Sequence, residues 1–292
     1  MGHHYSCDWR KTGEIMATFT VGTENSTPIE LYYEDLGSGY PVILIHGFPL
    51  SGASWEKQVP ALLEAGFRVI TYDRRGFGKS SQPSSGYDYD TFAADLHHLV
   101  TKLELTDFAL VGFSMGGGEV ARYTAQYGIG SVSKAVFIGA VTPFLVKAED
   151  NPEGVPQEVF EGIKAGILAD RPSFLTGFFA NFFNTDVLDG TKITDQAVQA
   201  NWNIAIAASP IATHAVVDTW GTDFREDLDR FDLPVLVIHG DSDRIVPIAI
   251  SGAKTAQNPS VQEYVVVKDG PHAVNWTHAE EVNAALINFL KS

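Results

Sequence analysis

The chain is short of cysteine, of positive charge and of long apolar runs, and each shortage excludes something. Cys7 is its single cysteine, so no intrachain disulfide framework is available, which fits a reducing, cytoplasmic setting. Lys and Arg number 20 against 36 Asp and Glu, for a formal net charge of -16. Phosphate backbones and anionic bilayers are repelled by such a chain, so neither nucleic acid nor membrane is an expected partner. No apolar stretch reaches the roughly 18 residues that a spanning helix needs. The opening MGHHYSCDWRKTGEI has no apolar signal core. Residues 1–15 read as a leader, a mis-assigned start or an expression remnant, with His3 and His4 tag-like rather than metal-binding.

What is present is an ordinary globular balance, 45% hydrophobic and 19% charged over 292 residues, enough for one large α/β domain or two small ones. Short Val/Ile/Leu runs recur at 42–45, 67–72, 108–113, 134–140, 234–240 and 261–267. Runs of this kind, bounded by Gly and Asp, suggest strands buried on both faces of a parallel sheet. Helical patterns at 51–66, 91–103, 118–128 and 278–290 alternate with them. The alternation predicts right-handed βαβ units in one doubly wound, mostly parallel sheet. Residues 142–220 break the rhythm with prolines, amphipathic pieces and many phenylalanines. They are expected to form a helical cap inserted before the last two strands, between core segments 16–141 and 221–292.

The stretch GFSMG (112–116) follows a buried run and precedes a helix, the setting in which G-x-S-x-G forms a nucleophile elbow. A serine hydroxyl needs a base to take its proton and a carboxylate to orient that base. HGDSDRIVP (239–247) and KDGPHAVNWTH (268–278) supply candidates at the carboxyl ends of later strands. Ser114, Asp243 and His272 then fall in the chain order of α/β-hydrolases. Asp241 is kept as a loop-shaping acceptor, and His46 and His239 as scaffold. HGFP (46–49) stands where the second oxyanion donor arises in that fold, so the N–H groups of Phe48 and Met115 are the expected oxyanion hole. Both side chains are expected against the acyl group, with Pro49, Phe144, Trp220 and Ile245 as further pocket candidates. RRGFGKS (74–80) ends like a phosphate loop, but Asp73 occupies the place of its first glycine. It reads as a turn. No metal site is expected.

Together HGFPLSGASW, ITYDRRGFGKS, LVGFSMGGGEVARY, NPEGVPQEVF and VIHGDSDRIVP resemble the cofactor-free bacterial haloperoxidases, or perhydrolases. These are α/β-hydrolases close to aryl esterases and γ-lactamases. The resemblance runs from about Met16 to the C-terminus. It implies Ser114 as nucleophile, Asp243 as orienting acid and His272 as base, with no cofactor and possible homo-oligomers. It further implies that a small acyl group passes from Ser114 to hydrogen peroxide or water. Pro49, beside the oxyanion donor, looks like the perhydrolase arrangement, in which the Phe48 carbonyl would accept a hydrogen bond from peroxide. The alternatives are an aryl esterase, a γ-lactamase, or a non-catalytic binding protein of the same fold.

Overall fold

The computed structural model describes residues 15–292. Residues 1–14, and so nearly all of the expected leader, lie outside the described residues; Ile15 opens the first strand. β1 (Ile15–Glu24) and β2 (Thr27–Leu36) form an antiparallel hairpin. Its turn residues Asn25 and Ser26 both have positive φ, 49° and 65°, as a two-residue turn matched to strand twist requires. The remaining strands are β3 (Pro41–Ile45), β4 (Arg68–Tyr72), β5 (Phe108–Phe113), β6 (Val132–Ile138), β7 (Val235–Gly240) and β8 (Val261–Val267). Across the sheet the order is β1-β2-β4-β3-β5-β6-β7-β8. β3 to β8 run parallel, and β2 pairs antiparallel with β4.

Alternate residues of one strand feed opposite cores. Ile43 and Ile45 of β3 join the apolar layer beneath α2 (Tyr89–Lys102) and α3 (Met115–Tyr123). Val42 and Leu44 join the layer beneath α1 (Gln58–Glu64) and the C-terminal helix. Five of the six apolar runs are buried on both faces as their composition predicts. β8 differs: it is the sheet edge, and Gln262, Glu263, Tyr264 and Val266 are exposed. A Val-rich strand with nothing pairing beyond it among the described residues keeps its β-propensity but loses its cover. α2 starts where Asp88 accepts the Thr91 N–H at 2.8 Å. α3 begins three residues before the expected helix and runs into a π turn over Thr124–Gly128.

Between β6 and β7 the chain makes a long helical excursion. It contains α4 (Gln157–Phe183), α5 (Thr185–Leu188), α6 (Asp195–Ile206), α7 (Pro210–Ala215) and a 3-10 turn over Val216–Gly221. α4 is broken at Asp170, whose backbone is extended (φ -161°, ψ 89°). The cause is local: the Asp170 carboxylate accepts the Ser173 N–H at 3.0 Å, and Pro172 sits in the first turn that follows. Arg171 fastens the break to the end of α6, donating to the carbonyls of Ile206 and Ala208 at 3.1 and 3.2 Å. The excursion closes at a neck where the Phe224 N–H meets the Pro143 carbonyl at 2.8 Å, one residue inside the expected 142–220 at its start and four beyond it at its end. α8 (Arg225–Leu228) leads back to β7, and α9 (Gly252–Thr255), α10 (Val274–Thr277) and α11 (Ala279–Lys291) complete the chain. No helix among the described residues is long and apolar enough to cross a membrane.

Two buried ion pairs tie the sheet rim to its helices. Arg75 grips Asp95 with two bonds of 2.7 Å. Arg74 meets Glu119 at 2.8 Å, with both side chains all but inaccessible and the Tyr72 hydroxyl on the other carboxylate oxygen. RRGFGKS is a turn, held by the Asp73 carboxylate accepting the N–H groups of Gly52 and Lys79 at 2.8 and 2.7 Å. Removing one partner of a fully buried pair strands the other charge. Glu119→Gln is therefore expected to lower the unfolding free energy by about 3–5 kcal/mol, read as a fall in the urea midpoint.

Candidate active site

Where β5 ends, the chain turns into α3 within one residue. Ser114 occupies that corner with φ 53° and ψ -120°, a left-handed backbone that a side chain adopts only under strain. Its flanking glycines are demanded by close approach. A Cβ on Gly116 would stand 2.2 Å from the Ile45 carbonyl oxygen, and one on Gly112 would stand 2.5 Å from the Gly116 oxygen. The Ser114 N–H bonds the Ile138 carbonyl and the Gly117 N–H bonds the Ser114 carbonyl, both at 2.9 Å. The corner is thereby fixed with its hydroxyl turned toward a cavity.

His272 lies on the loop after β8, fully buried between the rings of Phe113 and Phe182 at 5.0 and 5.2 Å. Its Nε2 is 2.8 Å from Ser114 Oγ and its Nδ1 is 2.7 Å from Asp243 Oδ2. A ring nitrogen facing a carboxylate carries the proton, so Nε2 presents its lone pair to the serine O–H. Asp243 sits on the loop after β7. Its Oδ1 accepts the N–H groups of Ile245 and Val246 at 2.9 and 2.8 Å. Burial alone would raise this carboxyl; the attraction of His272 and hydrogen bonds from His239 and His272 overcome that and hold it well below the ordinary range. Asp241 is exposed and accepts the Ser242 hydroxyl at 3.1 Å, a loop contact away from the imidazole.

Among the described residues neither the Phe48 nor the Met115 N–H donates to another group. Met115 is the first residue of α3, where a helix N–H has no intrahelical acceptor. Phe48 is clamped edge-on by Trp220 at 4.9 Å and Phe178 at 5.6 Å. These contacts, each worth about 0.5–1.5 kcal/mol, join the β3 loop to the helical excursion.

Ser114 opens on a cavity of about 660 Å³ whose wall includes Phe48, Val141, Leu145, Phe160, Phe178, Trp220, Ile245 and Val246. Trp220 and Ile245 are thus at the wall. Three expectations need correction. Phe144 lies outside the cavity, at the neck, where its ring sits 5.0 Å under the Arg225 guanidinium beside a separate surface recess. Pro49 is buried behind Phe48, joined to it by a cis peptide, and does not line the cavity. The Met115 side chain points into the layer beneath α2 and α3, leaving only its N–H for the site. Of the polar wall residues, Asp170, Ser173 and Asn181 belong to α4, whose break sets which way they face, and Arg244 reaches the wall from the loop after β7. Arg244 is additionally paired with Asp186 at 2.7 Å.

A family profile described as the alpha/beta hydrolase fold matches residues 40–279. The chain belongs to that family. Within the alpha/beta hydrolases, it is 58% identical over 276 residues to a Synechocystis protein provisionally named a non-heme chloroperoxidase, covering 94% of this chain and 100% of that one. It is 37% identical over 267 residues to a bifunctional esterase/perhydrolase of Acinetobacter calcoaceticus, covering 90% and 97%. A bromoperoxidase structure from Bacillus anthracis superposes with a TM-score of 0.90 at 52% identity, covering 95% and 100%. The eight-stranded, mostly parallel sheet of this hydrolase is the architecture of that family.

The depressed Asp243 carboxyl makes stability depend on acid in a defined direction. Its folded-state value lies below the unfolded one of about 3.9, so its contribution is present above that pH and disappears as pH falls through the folded value. The urea midpoint of Asp243→Asn is expected to trail the parent most at neutral pH, with the gap shrinking below about pH 4.

Proposed function

We propose that the protein is a serine-dependent acyl-transfer enzyme that passes acyl groups from carboxylic acids or esters to hydrogen peroxide, and to water in its absence. The observation that carries this reading is the hydrogen-bonded series Ser114–His272–Asp243 opening on an apolar cavity. His272 Nε2 takes the proton as Ser114 Oγ attacks the acyl carbon. The developing oxyanion is received by the N–H groups of Phe48 and Met115, each worth about 2.7–4 kcal/mol in such sites. His272 then returns the proton to the leaving oxygen, and an acyl-serine remains. Peroxide attacks that ester with His272 as base, the peracid departs and Ser114 is regenerated. The free peracid oxidises halide to hypohalite and becomes the carboxylic acid, so the halide needs no place on the protein. Similarity to relatives named chloroperoxidase and esterase/perhydrolase supports peroxide as one acceptor. Plain esterase action is the same chemistry with water as acceptor.

The cavity volume, about 660 Å³, falls within the range of sites that enclose whole small molecules, so acyl groups longer than acetyl fit. A series of p-nitrophenyl esters, run with and without peroxide and bromide, tests both points. Each added methylene buried in the cavity stabilises by about 0.8 kcal/mol, so kcat/KM should climb roughly fourfold per carbon until the wall is met. Ser114→Ala should lose about a thousandfold or more of esterase activity and bromination with it. Bromination that survives Ser114→Ala would mean that no acyl-serine is involved.

A further inference from the structure

Behind Asp243, on the side away from His272, stands a second buried imidazole. His239, the penultimate residue of β7, is fully inaccessible. Its Nε2 lies 2.9 Å from the Val246 carbonyl and 3.2 Å from Asp243 Oδ2. Two oxygen acceptors converge on that nitrogen, so it must carry a hydrogen, shared between them. Nδ1 is buried with no hydrogen-bond partner and faces Gly252, where a Cβ would come within 2.4 Å of it. The ring is therefore held with one edge against a glycine and its N–H toward the carboxylate.

We infer that His239 is a positioning residue for the acyl-transfer reaction, holding the Asp243 carboxylate in the orientation that His272 requires. The two imidazoles share one oxygen, Oδ2, while two backbone N–H groups hold the other. Among the described residues no further charged side chain is hydrogen-bonded or ion-paired to this carboxylate. Charge that His239 draws from Oδ2 is charge not offered to His272, so the second ring also moderates how strongly the carboxylate favours the imidazolium. A purely structural histidine, serving only the Val246 carbonyl, would touch neither orientation nor charge. The inference rests on the proposed roles of Ser114, His272 and Asp243.

Three variants test it in the intact protein. His239→Leu keeps the bulk and removes the N–H; His239→Gln returns an N–H near the former Nε2; Gly252→Ala leaves the histidine but displaces its ring. For His239→Leu, kcat for ester hydrolysis is expected to fall about 10- to 100-fold, with KM changed by less than about twofold. With the carboxylate's full charge on His272, the acid limb of the kcat/KM profile should move to higher pH. Gly252→Ala should move both in the same direction, and His239→Gln should bring both back toward the parent. The far-downfield proton NMR signal of the His272 Nδ1–H reads the Asp243 contact without any substrate, and should shift in His239→Leu and return in His239→Gln. Should His239→Leu and Gly252→Ala leave the acid limb and that proton signal in place, or should His239→Gln rescue neither, the inference is overturned whatever happens to thermal stability. A Ser114→Ala enzyme that still hydrolyses ester would instead overturn the acyl-serine reading, a result the NMR signal does not depend on.

Discussion

The whole site depends on one strained residue at the end of one strand. Ser114 holds a left-handed backbone in a corner closed by Gly112 and Gly116, two residues away on either side, where a Cβ on Gly116 would strike β3 at Ile45 and one on Gly112 would strike the Gly116 carbonyl. That closeness exists because the strands are in parallel register, with Ile45 opposite Gly112 and Gly112 opposite Phe137. The same register carries across β6, β7 and β8, bringing Ile138 level with Ile238 and Gly240 level with Val267. Loops leaving those strands emerge at one rim, which is where open α/β sheets place their ligands. Three residues far apart in sequence meet there because the hydrogen-bond ladder sets their height.

The chemistry of the rim is bought by burial. An imidazole with no exposure, packed between two phenyl rings, interacts in a medium where charges are weakly screened. A carboxylate in such a place is costly unless every lone pair is occupied. Asp243 meets that condition with two backbone N–H groups and two imidazoles. Arg74 and Glu119 solve the same problem next door: the arginine also holds the His46 carbonyl at 3.0 Å, which fixes the loop that carries Phe48. Charges on the exposed rim, such as Arg244 with Asp186, are screened and leave the geometry to the buried ones.

The central strands are legible in the sequence because a strand covered on both faces must be apolar throughout, and GFSMG is legible because only glycines fit its two close approaches. The carboxyl-end positions of Asp243 and His272 follow from the same strand reading. β8 misleads, since a Val-rich edge strand and a Val-rich central one have the same composition. The cavity wall is where local reading stops. Phe144 and Trp220 are both aromatic residues at the margins of the excursion, and nothing in their neighbours says that one stacks under Arg225 while the other closes on Phe48. His239 reads as scaffold because H-G at a strand end has many uses; its contact with Asp243 appears only once the loop has folded back by four residues. The α4 break is partly legible, as D-R-P-S is a helix start, but only in a segment already known to be helical.

The neck at Pro143 and Phe224 has an evolutionary consequence. The two ends of the excursion meet there in one backbone hydrogen bond, and the helices above are fastened again to the loops of the sheet through Ser209 N–H to Gly76, Ala273 N–H to the Phe182 carbonyl and the Asn184 amide to Ser242. The excursion's helices supply much of the cavity wall, and α4 also lends Phe182 to the packing of the His272 ring. A lineage can therefore change the residues of the excursion that face the cavity, such as Phe160 and Phe178, while Phe182 and Asn184 keep their hold on the loops below. A varied wall over a constant rim is what such an attachment favours.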